Sequence, residues 1–325
     1  MKAVRVHQVG GPEVLVYEEV PDPEPSQGQA LVEISAAGVN FVDTYQRKGL
    51  YQRALPFTPG TEGAGTVVAV GNGVTALQVG DRVAWARGGG SYAQHVVLPV
   101  RNLVPVPDGI SLQQAAAVIL QGMTAHYLSH STYPLQGGDS ALIHAAAGGV
   151  GHLLVQLAKR RGARVIGTCS TMEKMALARH FGADEMILYT QEDFQEAVDR
   201  LTEGAGVDVV YDSVGKTTFA KSLDCLKPRG YLVLFGQSSG PVEPLDPQVL
   251  NRKGSLYLTR PTLEHYIATR DELLWRSGDL FDWLAAREIE VQIDRTFPLA
   301  EATDAHRYIE GRNTRGKLLL VPPGQ

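Results

Sequence analysis

The chain has 325 residues, which at ~100 to 200 residues per domain suggests two domains and excludes a single small binding module. Hydrophobic residues make up 44% and charged residues 20%, close to globular averages, so long-range disorder and membrane spanning are excluded as first readings. With 30 Lys plus Arg against 35 Asp plus Glu, a formal charge of -5 and no basic block, nucleic acid is not expected as the main ligand.

From Lys2 to about Val106 the chain is β-rich, with apolar runs at Ala30 to Ile34, Gly65 to Val70 and Tyr92 to Leu98. Turn residues such as Pro21, Pro23, Pro25 and Gly71-Asn72-Gly73 separate them, and the half is expected to form an irregular, partly closed β-barrel. No apolar leader with a small-residue cleavage site follows Met1, so no export signal is expected. The stretch from Ile110 to Gly138 lacks charge but holds four Gln and two His, which predicts a buried helix with flanking loops rather than a membrane span.

After Gln121 the pattern becomes strand, glycine turn and amphipathic helix, repeated at the ~25 to 30 residue spacing of parallel βαβ units. Strands are predicted at Ser140 to His144, Arg164 to Thr168, Glu185 to Tyr189, Val207 to Asp212 and Tyr231 to Phe235, with Ser255 to Thr259 as a sixth. Helices are predicted between them at Gly149 to Arg161, Met172 to Phe181, Asp193 to Thr202 and Lys216 to Cys225. The fold class is therefore α/β, an N-terminal β domain followed by a doubly wound parallel sheet. The tail from Leu263 reads as a long helical stretch, a strand near Glu290 to Ile293, a helix from Leu299 to Glu310 and a strand from Gly316 to Val321. It is expected to complete the first domain, giving 1–121 with 263–325 as one domain and 122–262 as the other.

Glycine is the one compositional excess, 35 residues or about 11% against a usual ~7%. One cluster, Gly148-Gly149-Val150-Gly151, follows the strand ending in His144 and opens a helix, so unpaired N–H groups face the place of a dinucleotide pyrophosphate. Gly148 is expected to admit the phosphate and Gly151 to let helix and strand pack closely. Ala146 stands where the first glycine of GxGxxG would be. The next strand ends in Thr168-Cys169-Ser170-Thr171, with no Asp or Glu to hold a ribose diol. Ser170 and Lys174 instead suit a 2'-phosphate, which favours NADPH over NADH; adjacent helical residues diverge by ~100°, so Glu173 is expected to face solvent.

Two other motifs carry less. Gly236-Gln237-Ser238-Ser239-Gly240 fits the GxSxG nucleophile elbow, but Pro241, Pro244 and Pro247 oppose the helix an elbow needs next. His126 and His130 are spaced like a zinc pair, yet Tyr127 stands where HExxH has its Glu, and helix-surface or core histidines are expected. The only cysteines, Cys169 and Cys225, cannot build a four-thiolate site or a disulfide framework, and a reducing cytoplasm is the expected setting.

The run Gly60-Thr-Glu-Gly-Ala-Gly-Thr-Val67 followed by Gly80-Asp-Arg-Val83 resembles the medium-chain dehydrogenase/reductase superfamily. Its zinc members carry His where Thr61 stands, and the segment Ala37 to Asp43 has Asn40 in place of their cysteine ligand. Within the zinc-free branch, Gly38 to Tyr45, His144 to Gly151, Tyr211 to Gly215, Phe235 to Gly240 and Leu258 to Pro261 resemble zeta-crystallin-type NADPH:quinone oxidoreductases with a GroES-like catalytic domain. The resemblance implies a metal-free enzyme that reduces quinones with NADPH. Tyr45, Tyr51 and Arg260 would line the acceptor pocket, and Asn40 would lie between acceptor and nicotinamide. Cofactor contacts are implied at Asn40 as well, and at Thr124, Gly148, Gly149, Val150, Gly151, Ser213, Phe235, Gly236 and Ser238. The 2'-phosphate falls to Ser170, Lys174, Tyr189 and Arg312, with Arg315 near enough to substitute. A homodimer through the Ser255 to Thr259 edge is also implied. Zinc-free relatives that reduce enones or alkenals offer an alternative chemistry. A non-enzymatic crystallin-like or RNA-binding role is a third, opposed by the charge and by the lack of an aromatic and basic stripe.

Overall fold

The computed structural model describes residues 1–324. The chain forms two compact units, one from Met1–Met123 with the segment from Ile267 onward, the other Thr124–Tyr266. In the first, β1 (Lys2–Val6) pairs antiparallel with β2 (Leu15–Glu19), and the prolines after it lead into the long β3 (Gln29–Val39). Then come α1 (Phe41–Arg47), β4 (Glu62–Val70), β5 (Arg82–Trp85), β6 (His95–Pro99), β7 (Val104–Pro105) and α2 (Leu112–Tyr127), on which the chain passes into the second unit. As expected for Ile110 to Gly138, α2 is a buried helix; its last turn widens into a π-helical turn at Leu128–Thr132. Among the described residues no helix is long and apolar enough to cross a membrane.

The second unit runs β8 (Ser140–Ile143), α3 (Gly149–Arg160), β9 (Arg164–Cys169), α4 (Met172–His180), β10 (Glu185–Leu188), α5 (Phe194–Leu201), β11 (Val207–Asp212), α6 (Phe219–Asp224), β12 (Leu226–Leu234), α7 (Gln248–Arg252), β13 (Tyr257–Thr259) and α8 (Leu263–Tyr266). Its six strands are all parallel, in the order β10-β9-β8-β11-β12-β13. That order reverses beside β8, the topological switch of a doubly wound sheet, and ligands bind such sheets outside the carboxyl ends of the strands. Strands such as Ser140–Ile143 are buried at every position, the continuous apolar run of a sheet covered on both faces.

The tail rejoins the first unit through α9 (Arg270–Ala285), β14 (Ile293–Pro298), α10 (Ala302–Glu310) and β15 (Lys317–Val321). The first unit's main sheet runs β14-β15-β3-β4-β5-β7, with β6 also on β3, and its core centres on Val32, Ile34, Trp85, Leu98, Leu318 and Leu320.

Several boundaries differ from the sequence reading for physical reasons. The strand near Glu290 to Ile293 begins only at Ile293, because its partner Lys317 opens β15 and sets the register. The long helical stretch after Leu263 is two helices, broken where Thr269 and Glu272 form a capping box that starts α9. The helix from Lys216 begins at Phe219, because Asp212 Oδ1 accepts from the Val214 and Gly215 N–H groups and holds that segment as a turn.

Candidate active site

In the second unit the cofactor candidates gather at the carboxyl ends of the parallel strands. After β8 the backbone turns sharply, with Ala145 at a positive φ of 53° and its carbonyl accepting from Gly148 N–H. Gly148 is the N-cap of α3 and has no side chain to cap it, whereas Thr171 caps α4 and Asp193 caps α5 by side-chain hydrogen bonds. The first N–H groups of α3, those of Gly149, Val150 and Gly151, are therefore left for an anion. A Cβ on Gly151 would sit 2.2 Å from Ala145 O and 2.9 Å from Ala146 C, so the start of α3 lies directly against the turn that follows β8. On Gly148 it would meet Ala145 O at 3.1 Å.

One strand over, β9 ends with Cys169 and half-buried Ser170, and no carboxylate stands between Thr168 and Thr171. Lys174 is the third residue of α4, its N–H bonded to the Thr171 hydroxyl; its side chain is half-buried, while Glu173 is exposed. Tyr189 lies one residue past β10, its N–H bonded to Cys169 O, and Thr190 Oγ1 donates to Ser170 O at 3.2 Å. Ser170 and Tyr189 thus follow adjacent strand ends, and Lys174 lies in the first turn of the helix after β9. Arg312, in the first unit, is exposed at a positive φ of 57° in the turn after α10, and nearby Arg315 pairs with Asp294.

Ser213 follows β11 and Phe235 follows β12; the Phe235 and Gly236 N–H groups donate to Asp212 O, and Ser238 N–H donates to Ser213 O. No helix starts after Gly240 until Gln248, so the GxSxG stretch is a strand-end loop and not a nucleophile elbow. Arg260 is exposed just beyond β13, and Thr124 is buried on α2. A buried relay braces these turns: His144 bridges Thr168 and Ser222, and Asp212 Oδ2 accepts from Thr218 and Ser222. Burial holds His144 below its usual pKa and so in the neutral form that can both donate and accept.

In the first unit Asn40 opens α1 and is buried, while Tyr45 and Tyr51 meet edge to face with ring centroids 5.5 Å apart. Tyr45 is buried and packs on Phe41 as well, so it supports Tyr51, which is 40% exposed. Thr61 donates to Asp43 Oδ1 at 2.9 Å, and Asp43 Oδ2 accepts from Asn40 N–H and from the Tyr92 hydroxyl. Burial pushes the Asp43 carboxyl up to about 6, against hydrogen bonds that favour its ionised form. Behind it, burial together with the Arg47 and Lys48 charges pushes His306 down to about 3. Arg47 can only donate, so neutral His306 accepts at Nδ1 and donates from Nε2 to Tyr92, and every donor in the row points toward Asp43. His126 and His130 stack at 4.4 Å in the second unit, His126 fully buried. Among the described residues no group of three or more His, Cys, Asp or Glu is placed to hold a metal ion.

Residues 26–108 match the alcohol dehydrogenase GroES-like domain family and residues 149–271 match the zinc-binding dehydrogenase family. A quinone oxidoreductase of Pseudomonas aeruginosa is 48% identical to this chain over 99% of both. The chain belongs to the quinone oxidoreductase family. A quinone oxidoreductase of Escherichia coli whose crystal structure holds NADPH matches with a TM-score of 0.97 at 44% identity, covering 99% of this chain and 100% of that one. A 2-haloacrylate reductase from Burkholderia is 44% identical over 98% of each chain.

In this quinone oxidoreductase three side chains that bind the Asn40 amide, those of Glu62, Gln121 and Lys317, are not among the sequence-predicted site residues. Gln121 Nε2 and Lys317 Nζ both donate to Asn40 Oδ1 at 3.0 Å. The available signal was a lysine opening the apolar strand Lys317–Val321, where a buried cation needs a buried partner.

Proposed function

We propose that the chain is an NADPH-dependent quinone reductase. The observation that carries this is the strand-end cradle of the second unit, an uncapped α3 start beside a β9 end that has Ser170 and Lys174 and no carboxylate. Whole-chain similarity to a quinone oxidoreductase complexed with NADPH supports it. In this reading Gly148, Gly149, Val150 and Gly151 hold the pyrophosphate, and Ser170, Lys174, Tyr189 and Arg312 hold the 2'-phosphate and adenine end. Thr124, Ser213, Phe235, Gly236 and Ser238 flank the rest of the cofactor. NADPH, when bound, supplies the reducing hydride. The chain orients the acceptor and offers donors to oxygen where negative charge grows, through Asn40, Tyr51 and Arg260, while buried Tyr45, expected to line the pocket, instead backs the Tyr51 ring.

Tyr51→Ala and Arg260→Ala are each expected to lower kcat/KM for quinone by about tenfold, a modest share of what a lost oxyanion donor costs. The NADPH Kd should stay near wild type in a fluorescence titration. Unchanged quinone kinetics in both variants would remove the two residues from the acceptor site.

We also infer that the enzyme is metal-free. Thr61 is spent on Asp43, and the buried Lys317 ammonium sits against Glu62 and Asn40, where a second cation would be repelled. Elemental analysis should find zinc far below one equivalent per chain; stoichiometric zinc, lost together with activity on chelation, would refute this. The short edge strand β13 leaves Tyr257 and Leu258 exposed, and we infer a homodimer formed along that edge. Light scattering at micromolar concentration should give twice the chain mass, and a monomer mass would exclude it. The similarity to 2-haloacrylate reductase favours reduction of an activated carbon–carbon double bond as the second reading.

A further inference from the structure

Lys317 and Glu62 form an ion pair in which both side chains are fully buried. They reach each other across β3, which lies between β15 and β4 in the sheet, and Gly38 of β3 is paired with Leu319 on one side and Glu62 on the other. Burying two charges costs about as much as their attraction returns, so stability alone does not account for the pair. What sets it apart is that both partners also bind the Asn40 amide. Lys317 Nζ donates to Asn40 Oδ1 at 3.0 Å, and Asn40 Nδ2 donates to Glu62 Oε1 at 2.6 Å. Gln121 Nε2 supplies a second donor to Oδ1, and Glu62 Oε2 is anchored by the Leu120 N–H at 2.9 Å.

An ammonium can only donate and a carboxylate can only accept, so the amide has one allowed orientation. Oδ1 must face Lys317 and Gln121, and Nδ2 must face Glu62. One N–H of Nδ2 is left with no protein acceptor among the described residues. Without the pair, Gln121 could be met by either end of the amide after its own side chain turned over, and the two orientations of Asn40 would be nearly equivalent.

We propose that the buried Lys317–Glu62 pair is a positioning device for quinone reduction, locking the Asn40 amide so that its one remaining N–H is presented to the carbonyl oxygen of the acceptor. This rests on the assignment of Asn40 to the acceptor site made above. Lys317 and Glu62 touch no reactant themselves; they act through the amide. A donor already oriented before reaction needs no reorganisation as charge develops, which is where its value to the rate lies.

The test is a double-mutant cycle between Lys317→Met and Asn40→Ala, read as kcat with quinone at saturating NADPH, alongside the NADPH Kd. Asn40→Ala is expected to lower kcat by about a hundredfold, the loss of one preorganised donor. Lys317→Met removes one of the two donors to Oδ1 and leaves Glu62 an unpaired buried carboxyl, driven toward a protonated form that donates as well as accepts and so no longer fixes Nδ2. Its kcat should fall about tenfold in the wild-type background and less than twofold in the Asn40→Ala background, with the NADPH Kd within about threefold. Equal losses in the two backgrounds, or no loss in the first, would overturn the positioning role. Wild-type kcat in Asn40→Ala would instead overturn the assignment of Asn40, and the proposal with it. Lys317→Met strands a buried carboxylate and can prevent folding. In that event the same cycle is run with the charge-neutral Lys317→Met/Glu62→Gln variant, which should melt near wild type yet show the same background-dependent loss; wild-type kcat in that folded variant would overturn the proposal.

Discussion

Lys174→Ala is expected to lower the ratio of kcat/KM for NADPH over NADH by about tenfold, the low end for a charge-assisted contact because the lysine is half-exposed and partly screened. Its position follows from the local chain. Thr171 caps α4 by accepting the Lys174 N–H, which fixes that residue in the first helical turn, beyond the end of β9. Ser170 precedes the cap, Tyr189 is tied to Cys169 across the strand ends, and Glu173 turns out to solvent. No carboxylate stands there to bind the ribose diol of NADH or repel a phosphate. The whole effect should appear in the NADPH arm, with NADH kinetics nearly unchanged. A wild-type ratio near one, or a ratio the substitution leaves alone, would mean that the 2'-phosphate binds elsewhere.

Gly151→Ala should be the most damaging single methyl in the second unit. The added Cβ would lie 2.2 Å from a backbone carbonyl oxygen, and backbone on both sides of the turn must move to admit it. A cost of about 2 to 3 kcal/mol is expected, the upper range for overpacking, and it should be visible as a lowered Tm. NADPH affinity should fall with it, because the displaced segment carries the N–H groups assigned to the pyrophosphate. Gly148→Ala separates the two effects. Its backbone, at φ -78° and ψ -179°, suits alanine and its nearest contact is 3.1 Å, so stability should be nearly kept while NADPH binding weakens. Equal Tm losses in the two variants would contradict this division of labour.

These glycines also show what the sequence could reveal. Local patterns determine the second unit: buried strands, a glycine turn and amphipathic helices recur at a spacing only a parallel sheet satisfies, and the ends of β8, β9 and β10 lie within one residue of where the pattern put them. Tyr45 and Tyr51 belong to one short segment, but only the resemblance to quinone oxidoreductases singles them out, since two tyrosines in a loop read equally well as packing. The Asn40 network was not legible. Its members come from positions 40, 43, 62, 121 and 317, and no periodicity links residues brought together by sheet order. The row from Arg47 through His306 and Tyr92 to Asp43 is equally scattered, joining α1, α10 and the loop before β6. Where one segment supplies the site, the sequence names it; where topology does, single residues such as a lysine in an apolar strand are the only trace.

NADPH-dependent quinone reduction is read out by following NADPH oxidation by the purified protein against a panel of simple quinones, with 2-haloacrylate and an enone in parallel. Quinone-dependent oxidation of NADPH, saturable in both substrates and much faster than with NADH or with the alkenes, is the predicted result. NADPH left unoxidised with every quinone, whether or not an alkene is reduced, would contradict it.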